Sequence, residues 1–169
     1  MFLFKESRKV SMKQSIKKGL GFGLTSGAIT TIGLMIGLYA ANPLLPVIIG
    51  GILSIAVADA FSDALGIHLS EEVNRSITER DVWIATIVTF FSKLFIALSF
   101  LIAFFIVPCS WAISVNIVWG VLLLALFSFY IARERNMPAW HVIMEHVTIM
   151  LGVVVISHWV GKFIAYIFG

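Results

Sequence analysis

Five apolar stretches, each close to the length that crosses a bilayer as a helix, occupy nearly the whole of this chain. They run over residues 19–41, 44–68, 83–107, 111–132 and 141–167. Backbone N–H and C=O groups have no water to pair with in hydrocarbon, so segments of this kind fold as helices. Composition agrees: 60% of the 169 residues are hydrophobic and 12% are charged, whereas soluble domains carry about 25% charged residues. The expected fold class is all-α, a polytopic membrane protein with five transmembrane helices. Its parts are a basic N-terminal segment over 1–18 and a five-helix domain over 19–169, with a short acidic loop over 69–82.

The breaks between the stretches carry the orientation. Six of the twelve Lys and Arg residues fall within the first eighteen positions: Lys5, Arg8, Lys9, Lys13, Lys17 and Lys18. The loops after the second and fourth helices each hold two more, Arg75 with Arg80 and Arg133 with Arg135, while the turns at 42–43 and 108–110 hold none. The positive-inside rule then predicts a cytoplasmic N-terminus and an external C-terminus. The apolar run after the basic start is too long for a signal-peptide core, so it reads as a retained first helix. Cys109 is the single cysteine, which excludes an intramolecular disulfide and a cysteine-rich metal site. The net charge of +3 does not point to nucleic acid.

Within the second stretch, Val57-Ala-Asp-Ala-Phe-Ser-Asp-Ala-Leu-Gly66 carries two carboxylates, Asp59 and Asp63. A charge at membrane depth costs several kcal/mol unless a cation, a proton or water compensates it. Spaced four apart, the two share one helical face. Counted from the cytoplasmic ends of their spans, Ser26, Asp59 and Lys93 fall at nearly one level, and Asp63 falls level with Glu145 and His146. Thr25, Ser26, Thr30 and Thr31 of the first helix, Ser62 of the second and Lys93 of the third make up the expected polar lining. Lys93 can pair with either carboxylate as a buried salt bridge that fixes register. His158, deep in the fifth helix, reads as a hydrogen-bonding group rather than a metal ligand.

The first helix is glycine-rich, with Gly23-x3-Gly27 and Gly33-x3-Gly37. Small residues at this spacing let helices approach closely in lipid, either within one subunit or across a dimer axis. The third and fourth helices are bulky by comparison. An intramembrane enzyme is not expected. In His141-x3-Glu145-His146 the two histidines lie five apart, about 140° around a helix, and cannot share the face a zinc pair needs. There is no Gly-x-Ser-x-Gly nucleophile elbow either.

Gly23-Leu-Thr-Ser-Gly-Ala-Ile-Thr-Thr31 with the glycine-rich 32–37, together with Ser54-Ile-Ala-Val-Ala-Asp-Ala-Phe-Ser62, resembles the first two helices of the vacuolar iron transporter family. The resemblance is to a short, prokaryotic-type member. Five helices, a cytoplasmic N-terminus and an acidic loop after the second helix agree with it. The resemblance implies a homodimer, packed through the first helix, that exports ferrous iron or manganese from the cytoplasm in exchange for protons across a prokaryotic cell membrane. It implies no tightly bound cofactor. Asp59 and Asp63, joined by Glu145 and His146, would then hold the ion, and Glu71, Glu72 and Glu79 would collect metal at the cytoplasmic mouth. This chain departs from the family pattern at Ser26, where the family has aspartate, and at Ile55 and Asp59, where it has methionine and glutamate. The loss of the thioether makes a hard, oxygen-ligated ion such as manganese as suitable as iron. The alternative is a non-transporting assembly or regulatory protein that keeps the fold and uses the Asp–Lys pairing structurally.

Overall fold

The computed structural model describes the backbone of residues 2–74 and 77–169, and side chains from residue 12 onward within those ranges. Lys5, Arg8, Lys9 and Arg75 of the basic pattern lie outside the described side chains. The helices are α1 (Phe2–Ala41), α2 (Leu45–Glu72), α3 (Glu79–Ser99), α4 (Leu101–Ile106), α5 (Cys109–Glu134) and α6 (Ala139–Phe168), with no strand among the described residues. Since α4 continues α3, five helices are long and apolar enough to cross a membrane, as expected from the sequence. Two boundaries differ. α1 is continuous from Phe2, so the basic segment is a helical extension of the first span. The third span, expected as one helix, is interrupted at Phe100, where Asn116 of α5 donates its side-chain amide to the Phe100 carbonyl at 2.9 Å.

Local chemistry explains where the helices stop. The Leu44 N–H donates to Asn42 Oδ1 at 3.2 Å in a tight turn, and Pro46 occupies the first turn of α2, where a missing N–H costs no bond. Thr78 caps α3 by accepting from the Asp81 N–H, while its hydroxyl donates to Asp81 Oδ2 at 2.6 Å. Between α5 and α6, Asn136 takes the left-handed conformation (φ 51°). The N–H groups of Asn136 and Met137 reach back to the carbonyls of Arg133 and Ala132, which closes α5 before Pro138.

α1 is the central element, packed against α3, α6, α2 and α5, while α2 lies on α3 and α5 on α6. No residue of α1 from Gly23 to Ala41 is exposed. α2, α3 and α5 each bury a ridge of every fourth residue: Ile48, Ile52, Ala56, Ala60 and Ala64; Ala85, Thr89, Lys93 and Ala97; Ala112, Asn116, Gly120, Leu124, Ser128 and Ala132. Ile32, Met35, Phe100, Leu124 and Met150 are fully buried where these ridges meet. In lipid this interior is held by close packing, not by exclusion of water from apolar surface.

The glycines of α1 account for that central place. Gly19, Gly23 and Gly27 lie against α3, and Gly33 and Gly37 against α6. Their close approach therefore serves packing within the chain. At the N-terminal face of the bundle, Lys18 bridges to Glu71 of α2 at 3.0 Å and Lys17 to Glu134 of α5. These two ion pairs tie the start of α1 to elements on both sides of it.

Candidate functional site

The site is built where three ridges bring polar residues to one depth. Asp59 and Asp63 lie one helical turn apart on the flank of α2 that faces α3, and Lys93 projects from the buried ridge of α3. Lys93 is 1% exposed, so its ammonium has no bulk water to fall back on. Its Nζ lies 2.5 Å from Asp59 Oδ2, contacts Asp63 Oδ2, and donates to Ser26 Oγ on α1 at 2.8 Å. Both carboxylates therefore share one cation, where the sequence suggested a single pair. The reason is the spacing: residues four apart on a helix straddle one long side chain reaching in from a neighbour.

The two contacts are not equivalent. The Asp63–Lys93 contact has hydrogen-bond geometry, whereas Asp59 Oδ2 sits beside the ammonium outside hydrogen-bonding angles and takes no hydrogen bond from any other described group. The Asp59 and Asp63 side chains keep 21% and 17% of their surface exposed. With both carboxylates ionised, the cluster carries two negative charges against one positive. One negative charge is left over, on groups that still have an open side. Such an arrangement attracts a small cation or a proton and holds it by charge.

The rest of the expected lining is distributed differently. Thr25 and Thr30 turn their hydroxyls back to their own helix, donating to the Gly21 and Ser26 carbonyls at 2.8 and 2.9 Å. Thr31 Oγ1 is buried and has no hydrogen-bond partner among the described residues. Ser62 lies on the exposed face of α2, away from Lys93. Glu145 and His146 are not brought to the carboxylates. α2 and α6 pack on α1 without substantial contact with each other; Glu145 is exposed, and the His146 ring pairs through Nδ1 with Ser128 of α5 at 2.7 Å. Equal depth along the bundle did not mean proximity, because α1 stands between the two helices.

At the mouth, Glu72 and Glu79 are exposed, but Glu71 is buried against Lys18 and cannot collect ions freely. Among the described residues, no three His, Cys, Asp or Glu side chains converge into a group that could hold a metal. Asn116, which the sequence reading passed over, is fully buried and links the Phe100 carbonyl to Met35 Sδ at 3.3 Å. An amide in an otherwise apolar fourth span was the signal that could have flagged it. Comparison with protein-family models, curated proteins and solved structures finds no match.

Proposed function

We propose that this chain is a divalent-cation transporter that carries ferrous iron or manganese out of the cytoplasm in exchange for protons. The observation that carries the reading is that two carboxylates, Asp59 and Asp63, share the one ammonium of Lys93 near the middle of a span. A structural salt bridge needs one carboxylate per ammonium; a second ionised carboxylate costs several kcal/mol in lipid unless a cation, a proton or water compensates it. The ion is cargo here, not a resident metal. Two carboxylates and the Ser26 hydroxyl offer oxygens only and too few to complete a shell, so the ion would keep water ligands, as small hard cations do. Protonation of a carboxylate would weaken its hold and release it. The resemblance in the first two helices supplies the direction and the proton coupling. The homodimer that the resemblance implies stays part of this reading.

Asp59→Asn tests the assignment in proteoliposomes that report entry of iron or manganese. It removes charge at nearly constant volume, so the protein should remain folded while flux falls to background. Undiminished flux in the variant would remove Asp59 from the pathway. A second reading is favoured by the same triad: Lys93 joins α1, α2 and α3, which is what a purely structural clamp would do. For a non-transporting protein, wild type itself would show no metal-dependent flux above empty liposomes.

The exposed loop acids should tune affinity only. Water and salt screen Glu72 and Glu79, and an exposed carboxylate binds divalent ions weakly. Neutralising both should raise the half-saturating metal concentration and spare most of the maximal rate. Loss of the maximal rate in the folded double variant would move the essential site to the loop.

A further inference from the structure

Lys162 is singular in its placement. Every other described Asp, Glu, Lys and Arg lies at or near the N-terminal face of the bundle, or in the Asp59–Lys93–Asp63 cluster at mid-span. Lys162 lies near the end of α6, at the opposite face, where the described chain has no Asp or Glu side chain. It is exposed, and it stands at the edge of a groove of about 350 Å³ between α1, α5 and α6. The groove walls are aliphatic (Ile36, Ile113, Val154), and its polar side chains are Tyr39, His158 and Lys162. His158 precedes Lys162 by four residues and so shares its helical face, one turn nearer the membrane centre. Trp159, exposed beside them, is the residue type that marks the headgroup level.

Other lateral grooves lack this combination. Between α2 and α3, His68 and Thr86 satisfy each other at 2.9 Å; between α4 and α5, Trp119 Nε1 donates to Ser99 Oγ at 3.0 Å. Neither groove has a cation in its lining. The groove at Lys162 pairs an apolar trough with a positive charge near the end of a membrane-spanning helix. A molecule that complements both has an acyl chain and an anionic head. Basic pockets between transmembrane helices are known to take such lipids.

We propose that the α1–α5–α6 groove is a binding site for one anionic phospholipid of the leaflet opposite the N-terminal face. Lys162 and His158 hold the headgroup phosphate, and the aliphatic walls seat one acyl chain. The site is independent of the cation pathway, so it stands or falls without the transport reading.

The test is native mass spectrometry of the full chain in bilayer nanodiscs of equal phosphatidylglycerol and phosphatidylcholine. Wild type should retain one phosphatidylglycerol per chain in preference to phosphatidylcholine. Lys162→Gln should weaken that preference about fivefold, the scale of one basic side chain at an anionic surface. Lys162→Arg should keep the preference, and Lys162→Glu should abolish it. Val155→Trp, at an exposed position on the groove wall, should fill the trough and expel the lipid without disturbing the buried interior. Equal retention of the two lipids by wild type would overturn the proposal, as would indifference to Lys162→Gln. A lipid-free dimer dissociated by Val155→Trp would overturn it in favour of a second copy of the chain.

Discussion

Lys93→Met should be among the most damaging single substitutions in this chain, with a loss of stability of about 3–5 kcal/mol. The methionine fills nearly the same volume, so packing is spared. What is lost is the only cation among the described residues in contact with Asp59 and Asp63, and the donor to Ser26 at 2.8 Å. Two carboxylates one turn apart on α2 are then left side by side without a cation between them, and they persist by taking up protons or by turning outward. Adding Asp59→Asn and Asp63→Asn to Lys93→Met should restore most of the loss, because no uncompensated charge is left to bury. Unfolding in mild detergent, followed by loss of helical signal on titration with a denaturing detergent, measures each step. Because Lys93 contacts both aspartates, the cycle should be non-additive with either one, and more strongly with Asp63, whose contact has hydrogen-bond geometry. Additive effects would show that the contacts carry no coupling. Flux separates structure from function: Asp59→Asn alone should fold and fail to transport.

How legible the chain was depends on the length scale. The five spans were readable because bilayer thickness imposes one length on all of them, and that length is a property of consecutive residues. Asp59, Asp63, Ser26 and Lys93 were readable as a group because depth can be counted along each helix, and charges at one depth seek each other. Lateral arrangement was not readable by counting. Glu145 and His146 share the depth of Asp63 but belong to α6, and α1 lies between them and α2. Glu71 looked like its neighbours in the acidic loop, yet α2 runs on to Glu72 and carries it against Lys18. The interruption at Phe100 was hidden for a different reason. Its sequence is uniformly apolar, and the group that marks it, Asn116, lies on another helix. The glycines of α1 were recognised as close-approach positions, while which neighbour approaches was decided by tertiary packing alone.

The glycines of α1, α2 and α6 allow a comparison in which the same chemical change has opposite outcomes. A Cβ at Gly161 would fall 2.3 Å from the Gly37 carbonyl oxygen and 2.8 Å from Ala40 Cβ, where α6 crosses α1. At Gly23 it would fall 1.9 Å from Ser92 Oγ and 2.8 Å from the Thr89 carbonyl oxygen, where α3 crosses α1. Ser92 can rotate away; a carbonyl oxygen in a packed helix cannot move without its whole backbone. Gly161→Ala and Gly23→Ala should therefore force the helices apart and cost about 1–3 kcal/mol each, the usual range for overpacking. Leucine at either position should prevent assembly of the bundle. Gly50 and Gly66 have nothing within 4 Å of a built Cβ. There alanine should be neutral or stabilising by up to about 1 kcal/mol, the intrinsic helix preference of Ala over Gly. Denaturing-detergent titration of the four alanine variants against wild type measures the split. The Gly23 variant carries a second consequence, because Lys93 follows Ser92 on α3 and its backbone N–H would lie 3.0 Å from the new methyl group. Moving that turn of α3 outward carries the ammonium away from Ser26 and the carboxylates, so flux should fall further than stability does. Equal stability of Gly23→Ala and Gly50→Ala would mean that α1 and α3 do not meet at Gly23.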